Sequence, residues 1–115
     1  MRALWVLILL PSFALAGPYD GRYRPDVDVS ADWDCTTIGQ DGGAIAIANG
    51  AFFGVESRCA LQNETAVRDM DATLFDLVCS GEGEAWQRRV MVMKTQSGIA
   101  MIENGGTVMR LRRCE

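Results

Sequence analysis

Apolar and polar positions alternate in short runs broken by glycine, asparagine and aspartate, and no long stretch repeats its apolar residues every 3.6 positions. The pattern predicts strands joined by turns. Residues 32–38 read as a first strand, Gln40-Asp41-Gly42-Gly43 as a turn, and residues 44–48 as a second strand with Ile45 and Ile47 on one face. Asn49-Gly50 is a strong hairpin signal, because both residues accept the positive φ angles of a two-residue turn. Residues 51–59 return as a third strand in which Gly54 marks a candidate bulge. Residues 65–71 turn the chain into a fourth strand over 72–79, and Gly81-Glu82-Gly83-Glu84 makes the next connection. Strands over 86–94, 99–103 and 107–114 follow, separated by Gln96-Ser97-Gly98 and Asn104-Gly105-Gly106.

About seven short strands with no room for crossover helices predict an all-β antiparallel meander, closing as a small barrel or folding as a sandwich. The barrel is favoured because closure removes exposed edges. Trp33, Phe52, Phe53, Phe75 and Trp86 are expected to contribute the largest core surface. Residues 17–31, rich in Pro, Gly and Asp, read as an N-terminal arm that packs loosely or extends, leaving 32–115 as the β domain.

The first sixteen residues change the picture of where this domain works. Arg2 supplies a positive start, residues 3–10 an unbroken apolar run, and Ala14-Leu15-Ala16 a small-x-small cleavage signal before Gly17. A membrane span needs about 20 apolar residues, and this run meets Pro11 and Ser12 first. The expectation is a cleaved signal peptide over 1–16, a mature chain with no membrane span, and a periplasmic or extracellular location. No cysteine stands at the cleavage point to take a lipid.

A mature chain of this length buries only about 60–65% of its unfolded surface, which leaves a thin margin of stability. Cys35, Cys59, Cys79 and Cys114 all lie in the mature part, an even number in an exported chain. Disulfides are favoured over zinc, since the spacings are wide and the chain has no histidine. Three pairings are formally open. A hairpin symmetric about Asp69 would set Cys59 opposite Cys79, leaving Cys35 and Cys114 to join the first and last strands, and that nested pairing is preferred.

Losing Arg2 with the leader leaves ten Lys and Arg against 15 Asp and Glu, a net charge of minus five, which disfavours nucleic acid as a partner. Arg110, Arg112 and Arg113, with Arg88 and Arg89 on a neighbouring strand, form a local basic strip. It reads as a solvated strand face in preference to an anion site. The absence of histidine removes nucleophile-base pairs that rely on an imidazole. Carboxylate chemistry remains, with Glu82 and Glu84, Asp69 and Asp71, and Glu56 as acid-base candidates, yet these sit in ordinary turn sequences.

Asp26-Val27-Asp28-Val29-Ser30 begins like a calcium loop, but Ala31 stands where that loop needs Gly and Thr37 where it needs Glu. Met91, Met93, Met101 and Met109 make a soft thioether set able to hold Cu(I) if they converge. Gap-filling core is the simpler role. Asn63-Glu64-Thr65 fits the glycosylation acceptor pattern and places that hairpin tip at the surface.

Trp33-Asp34-Cys35, Glu56-Ser57-Arg58-Cys59, Cys79-Ser80-Gly81-Glu82-Gly83 and the closing Arg113-Cys114 resemble small exported bacterial β-domain proteins with four cysteines and no assigned function. The likeness spans nearly all of the mature chain and implies an exported, cysteine-bearing β domain, without transferring any functional residue. Periplasmic lysozyme inhibitors are similar in size and barrel class. Their Ser-Gly-x-x-Tyr loop has no counterpart, since Ile99, Ala100 and Met101 follow Ser97-Gly98.

The reading is an exported, noncatalytic binding or interaction module that meets a protein, an envelope polymer or a small ligand. A Cu(I)-binding protein using the methionines is the alternative, and a carboxylate hydrolase the third. No cofactor is expected, and a monomer is. Phe52 and Phe53, adjacent and therefore on opposite faces of a strand, mark the candidate interaction surface.

Overall fold

Alternate residues of the strands point into one shared core, and that buried set shows how the sheet closes. The computed structural model describes residues 17–114, so the predicted leader over 1–16 lies outside the described residues. Eight strands run β1 (Gly21–Pro25), β2 (Ile45–Ala48), β3 (Ala51–Gly54), β4 (Ser57–Ala66), β5 (Ala72–Gly81), β6 (Glu84–Lys94), β7 (Gly98–Glu103) and β8 (Val108–Arg113). Each pairs antiparallel with its neighbours in chain order, and β1 also pairs with β8, so the sheet is a closed barrel. Inward positions include Tyr23, Ile45, Ile47, Phe52, Phe75, Val90, Val92, Ile99 and Leu111, which form one core.

The barrel is the favoured reading fulfilled, with eight strands in place of about seven, and three local differences account for the count. Residues 32–38 form no strand. The Asp34 carboxylate accepts the backbone N–H groups of Thr36 and Thr37 and the Thr37 hydroxyl, which folds the chain back on itself, and Cys35 takes a positive φ of 59°. A short polar side chain has here outcompeted the ladder for the backbone. The segment's one ladder contact is an isolated parallel bridge between Ile38 and Ala44, not the antiparallel pairing expected.

The segment read as a loose arm instead contributes β1, the strand that closes the barrel. In Gly21-Arg22-Tyr23-Arg24-Pro25 the alternation sends Tyr23 inward, fully buried, and the arginines outward. Pro25 ends the strand, where a missing N–H costs least. The residues just before β1 add a second buried aromatic. Tyr19 donates or accepts a 2.9 Å hydrogen bond with the Thr73 hydroxyl, sets its ring edge-on to Phe75, and accepts the Tyr23 hydroxyl proton on its own carbonyl.

The predicted third strand is two strands. Val55-Glu56 turns the chain with Glu56 at φ 52°, and Gly54 ends β3 opposite Ser57 rather than forming a bulge. The bulge lies in β4 at Asn63, φ 53°, where pairing moves from Gln62 opposite Asp76 to Thr65 opposite Leu74. Of the aromatics expected in the core, Phe52 and Phe75 are buried, and Trp33 and Trp86 pack against the core while partly exposed. Phe53 points out of the barrel.

The disulfides have the nested pairing. Cys59 and Cys79 face each other across β4 and β5 inside the barrel, 4% and 2% exposed. Cys35–Cys114 ties the β1–β2 loop to the residue after β8. The expectation that this bridge joins the first and last strands is not met, because residues 32–38 form a loop and the β1–β8 seam is closed by backbone pairing instead.

Candidate functional site

The closing seam sets like charges side by side. Arg24 on β1 stands directly opposite Arg112 on β8, both on the outer face, an arrangement that destabilises a sheet unless something compensates. Asp26 takes one share of the charge, its Oδ1 lying 3.1 Å from Arg112 Nε. Among the described residues Arg24 has only a long contact, 3.4 Å, to the Ser30 hydroxyl. Beside this pair a groove of about 580 Å³ opens, walled by Ala31, Trp33, Asp34 and Cys35 on one side and by Lys94, Thr95, Gln96 and Ser97 of the β6–β7 turn on the other.

Arg24, Lys94, Arg112 and Arg113 line this groove, and Asp34 is the carboxylate among its lining residues. Gly98 stands opposite Arg112 in the sheet and approaches the Leu111 carbonyl so closely that no Cβ would fit. Trp33 adds a half-buried aromatic surface, and Gln96, Thr95 and Ser97 add hydrogen-bonding groups. Arg113 is held from within the barrel: its guanidinium sits 5.3 Å from the Tyr23 ring centre and donates to the Tyr23 hydroxyl and the Asp20 carbonyl. Burial raises the Tyr23 pKa, with the Arg113 charge opposing that shift.

Asp34 is not a free base. Hydrogen bonds from the Thr37 and Thr36 backbone, and from the Thr37 hydroxyl, lower its pKa to about 2. A group whose folded pKa is depressed stabilises the fold above its unfolded pKa of about 4, and that contribution is lost as pH falls through the folded value. Melting temperature is therefore expected to fall between about pH 4 and pH 2. In Asp34→Asn that acid slope should shrink, which thermal melts at stepped pH would read directly.

The other candidates are dispersed. Arg110 lies on the outer face of β8 opposite Ala100, outside the groove lining. Arg88 and Arg89 do not join the strip, because they point to opposite faces of β6 and pair with Glu103 and Asp76 at 2.9 and 3.0 Å. Phe52 is 7% exposed and belongs to the core, which removes it from the candidate surface. Phe53 is outward but half-covered, with the Arg58 guanidinium 5.6 Å over its ring.

The methionines do not converge. Val92, fully buried between Met91 and Met93, puts those two on the outer face, whereas Met101 is buried and sits opposite both Val92 and Met109 on the inner face. The sheet separates the pairs. Among the carboxylates, Glu56 and Glu82 meet, and the hydrogen bond that protonated Glu56 makes to the Glu82 carboxylate, together with the Glu82 charge, raises the Glu56 pKa. Both are in exposed turns, while Asp69 and Asp71 lie in the β4–β5 turn at the other end of the barrel. The calcium-like stretch forms a 3₁₀ turn over Asp28–Ser30, with Asp26 committed to Arg112 and the Ser30 hydroxyl bonded to the Pro25 and Val27 carbonyls. Among the described residues no group of three or more His, Cys, Asp or Glu is placed to hold a metal ion. Asn63 is exposed and donates to Asp76 at 2.8 Å.

No family model matches the chain, and neither do the curated proteins or the solved structures. Arg24, Trp33 and Lys94 were not singled out for binding from sequence, and the available signal was the polar-apolar-polar alternation of residues 22–24, which marks a strand with outward arginines.

Proposed function

We propose that this protein is a noncatalytic binding module that works outside the cytoplasm, in the periplasm or the extracellular space, and holds an anionic group of its ligand in the groove beside Cys35–Cys114. The disulfides themselves fit an oxidising location, and a cleaved leader over 1–16 would deliver the chain there. The observation that carries the reading is the like-charged neighbour pair Arg24 and Arg112, offset only by Asp26 on Arg112 among the described residues and joined in the groove by Lys94 and Arg113, in a chain whose net charge is negative. Proteins keep such locally unfavourable arrangements where function needs them. The noncatalytic part of the reading is supported by Asp34, which stays ionised and hydrogen-bonded to the backbone, and by the lack of histidine.

The Trp33 surface and the amide and hydroxyl groups of the β6–β7 turn suit an anionic polymer or a small polyol acid. Titration with oligogalacturonate and with polyphosphate, followed by tryptophan fluorescence, distinguishes carboxylate from phosphate preference, and neutral dextran is the control. Binding should weaken with salt and drop at least about tenfold, equivalent to about 1.4 kcal/mol, in Arg24→Gln. The same variant should melt at an equal or higher temperature, since it removes a like-charge pair. Unchanged binding in Arg24→Gln, or no binding of either anion by the native protein, would refute the proposal.

A further inference from the structure

Closure of the barrel leaves parts of two strands, β4 and β6, paired on one side alone. β6 pairs with β5 along its length, from Gly81 opposite Glu84 to Ala72 opposite Met93, without a register shift. It pairs with β7 only from Val90 to Lys94. Among the described residues, 84–89 therefore have β5 on one side and no strand on the other, and alternate backbone N–H and C=O groups face outward along that edge. The β5–β6 turn, with Glu82 and Gly83 at φ 50° and 79°, adds only two residues between the strands, so the overhang is a continuous hairpin.

A second overhang shows what a protected edge looks like in this fold. β4 pairs with β3 only through Ser57–Ala60, and beyond it the edge carries the Asn63 bulge, a device that twists a strand away from further pairing. The β6 edge has no bulge and no proline. Its protection against indiscriminate pairing comes from charge, and that charge has a self-complementary order.

We infer that the 84–89 edge of β6 pairs antiparallel with the same edge of a second copy of this chain, making a two-fold symmetric dimer centred on Trp86. Glu84, Trp86 and Arg88 share the inner face with Val90, and Ala85, Gln87 and Arg89 take the outer face. An axis perpendicular to the sheet through Trp86 keeps each face on its own side. It sets Glu84 opposite the partner's Arg88, Trp86 opposite the partner's Trp86, and Ala85 opposite the partner's Gln87. Opposite charges and aromatic pairs directly across an antiparallel junction are stabilising, and like charges are not.

The groups are ready for that register. Arg88 is held by two contacts to Glu103, at 2.9 and 3.1 Å, and remains 55% exposed. Glu84 takes part in none of the ion pairs formed among the described residues. Trp86 is half-buried at the mouth of a cavity of about 240 Å³ lined by the Cys59–Cys79 bridge, Met101 and Met109, so a partner indole would cover apolar surface. The edge and the anion groove lie at opposite ends of β6, and dimerisation leaves the groove open. The sequence alone predicts a monomer, because an unpaired edge exists only after the rest of the barrel has closed.

Sedimentation equilibrium of the oxidised protein tests this. The native chain is expected to associate reversibly into dimers. Glu84→Arg alone places arginines opposite one another across the junction, and Arg88→Glu alone places glutamates there, so each should raise the dimer dissociation constant at least about tenfold. Mixing the two variants restores both ion pairs and should restore dimers of mixed composition. Glu84→Arg touches no internal ion pair, so it remains informative should Arg88→Glu fail to fold. A native chain that stays monomeric up to millimolar concentration, single variants that dimerise like the native chain, or a mixture of folded variants that stays monomeric would each overturn the inference.

Discussion

Deleting residues 17–25 is expected to abolish cooperative folding of the oxidised domain, seen as loss of a sharp thermal transition in circular dichroism. The segment is the eighth wall of the barrel. Its removal takes out β1, leaving the facing edges of β2 and β8 open and unpaired. It also empties the space filled by Tyr19 and Tyr23, which are 4% and 0% exposed. Truncating one buried aromatic costs about 3–5 kcal/mol, so the two together consume most of the roughly 5–15 kcal/mol that holds a small domain. Tyr23→Ala alone should lower stability by about 3–5 kcal/mol. Tyr23→Phe should cost about 1 kcal/mol, since it keeps the ring and loses the hydroxyl contacts to the Tyr19 carbonyl and Arg113. A truncated protein that melts like the full chain would mean that the segment is the loose arm its composition suggests.

The second large effect belongs to the sulfur bridges. Cys35–Cys114 and Cys59–Cys79 span sequence separations of 79 and 20, for which chain entropy gives about 4.5 and 3 kcal/mol. Replacing Cys59 and Cys79 with alanine also removes buried sulfur from the core, so the two paired replacements should destabilise by similar amounts. Their responses to reductant should differ. Cys35 and Cys114 are half-buried beside the groove, and Cys59 and Cys79 are enclosed. Mild reduction under native conditions is expected to open Cys35–Cys114 first, releasing the loop that walls the groove and weakening anion binding while the barrel persists. Mass spectrometry after timed alkylation reads the order, and simultaneous loss of both bridges would contradict it.

What the sequence reveals here follows the range of each interaction. Asn49-Gly50 adopts φ 52° and 74°, the two-residue turn that its chemistry demands. The symmetry about Asp69 places Cys59 opposite Cys79 correctly, although the bulge at Asn63 then shifts the hairpin by one residue, so that the Val67 N–H bonds the Ala72 carbonyl. These are local contacts. β1 was hidden because Gly21, Pro25 and the aspartates around it carry the composition of a loop, and its partner β8 lies at the far end of the chain. Residues 32–38 misled in the opposite direction: Trp33, Thr36, Thr37 and Ile38 favour strands, yet one Asp34 carboxylate turns the backbone aside.

The candidate site was legible only in part for the same reason. Arg112 and Arg113 stood out as basic residues, but their meeting with Arg24 and Lys94 depends on closure of the seam and on the loop tied down by Cys35. Alternation alone could not separate the methionines either, because that needs the register that sets Met101 opposite Met109 and Val92.

Hydrogen exchange of the backbone amides in the oxidised protein reaches the centre of the account, since groove and seam both require β1 to be a full member of the sheet. Amides of residues 21–25 that bond β2 or β8 should exchange as slowly as those in the middle of β5 and β6. Exchange of that segment at the rate of an unstructured chain, with β5 and β6 still protected, would show a barrel that is open where this one is closed.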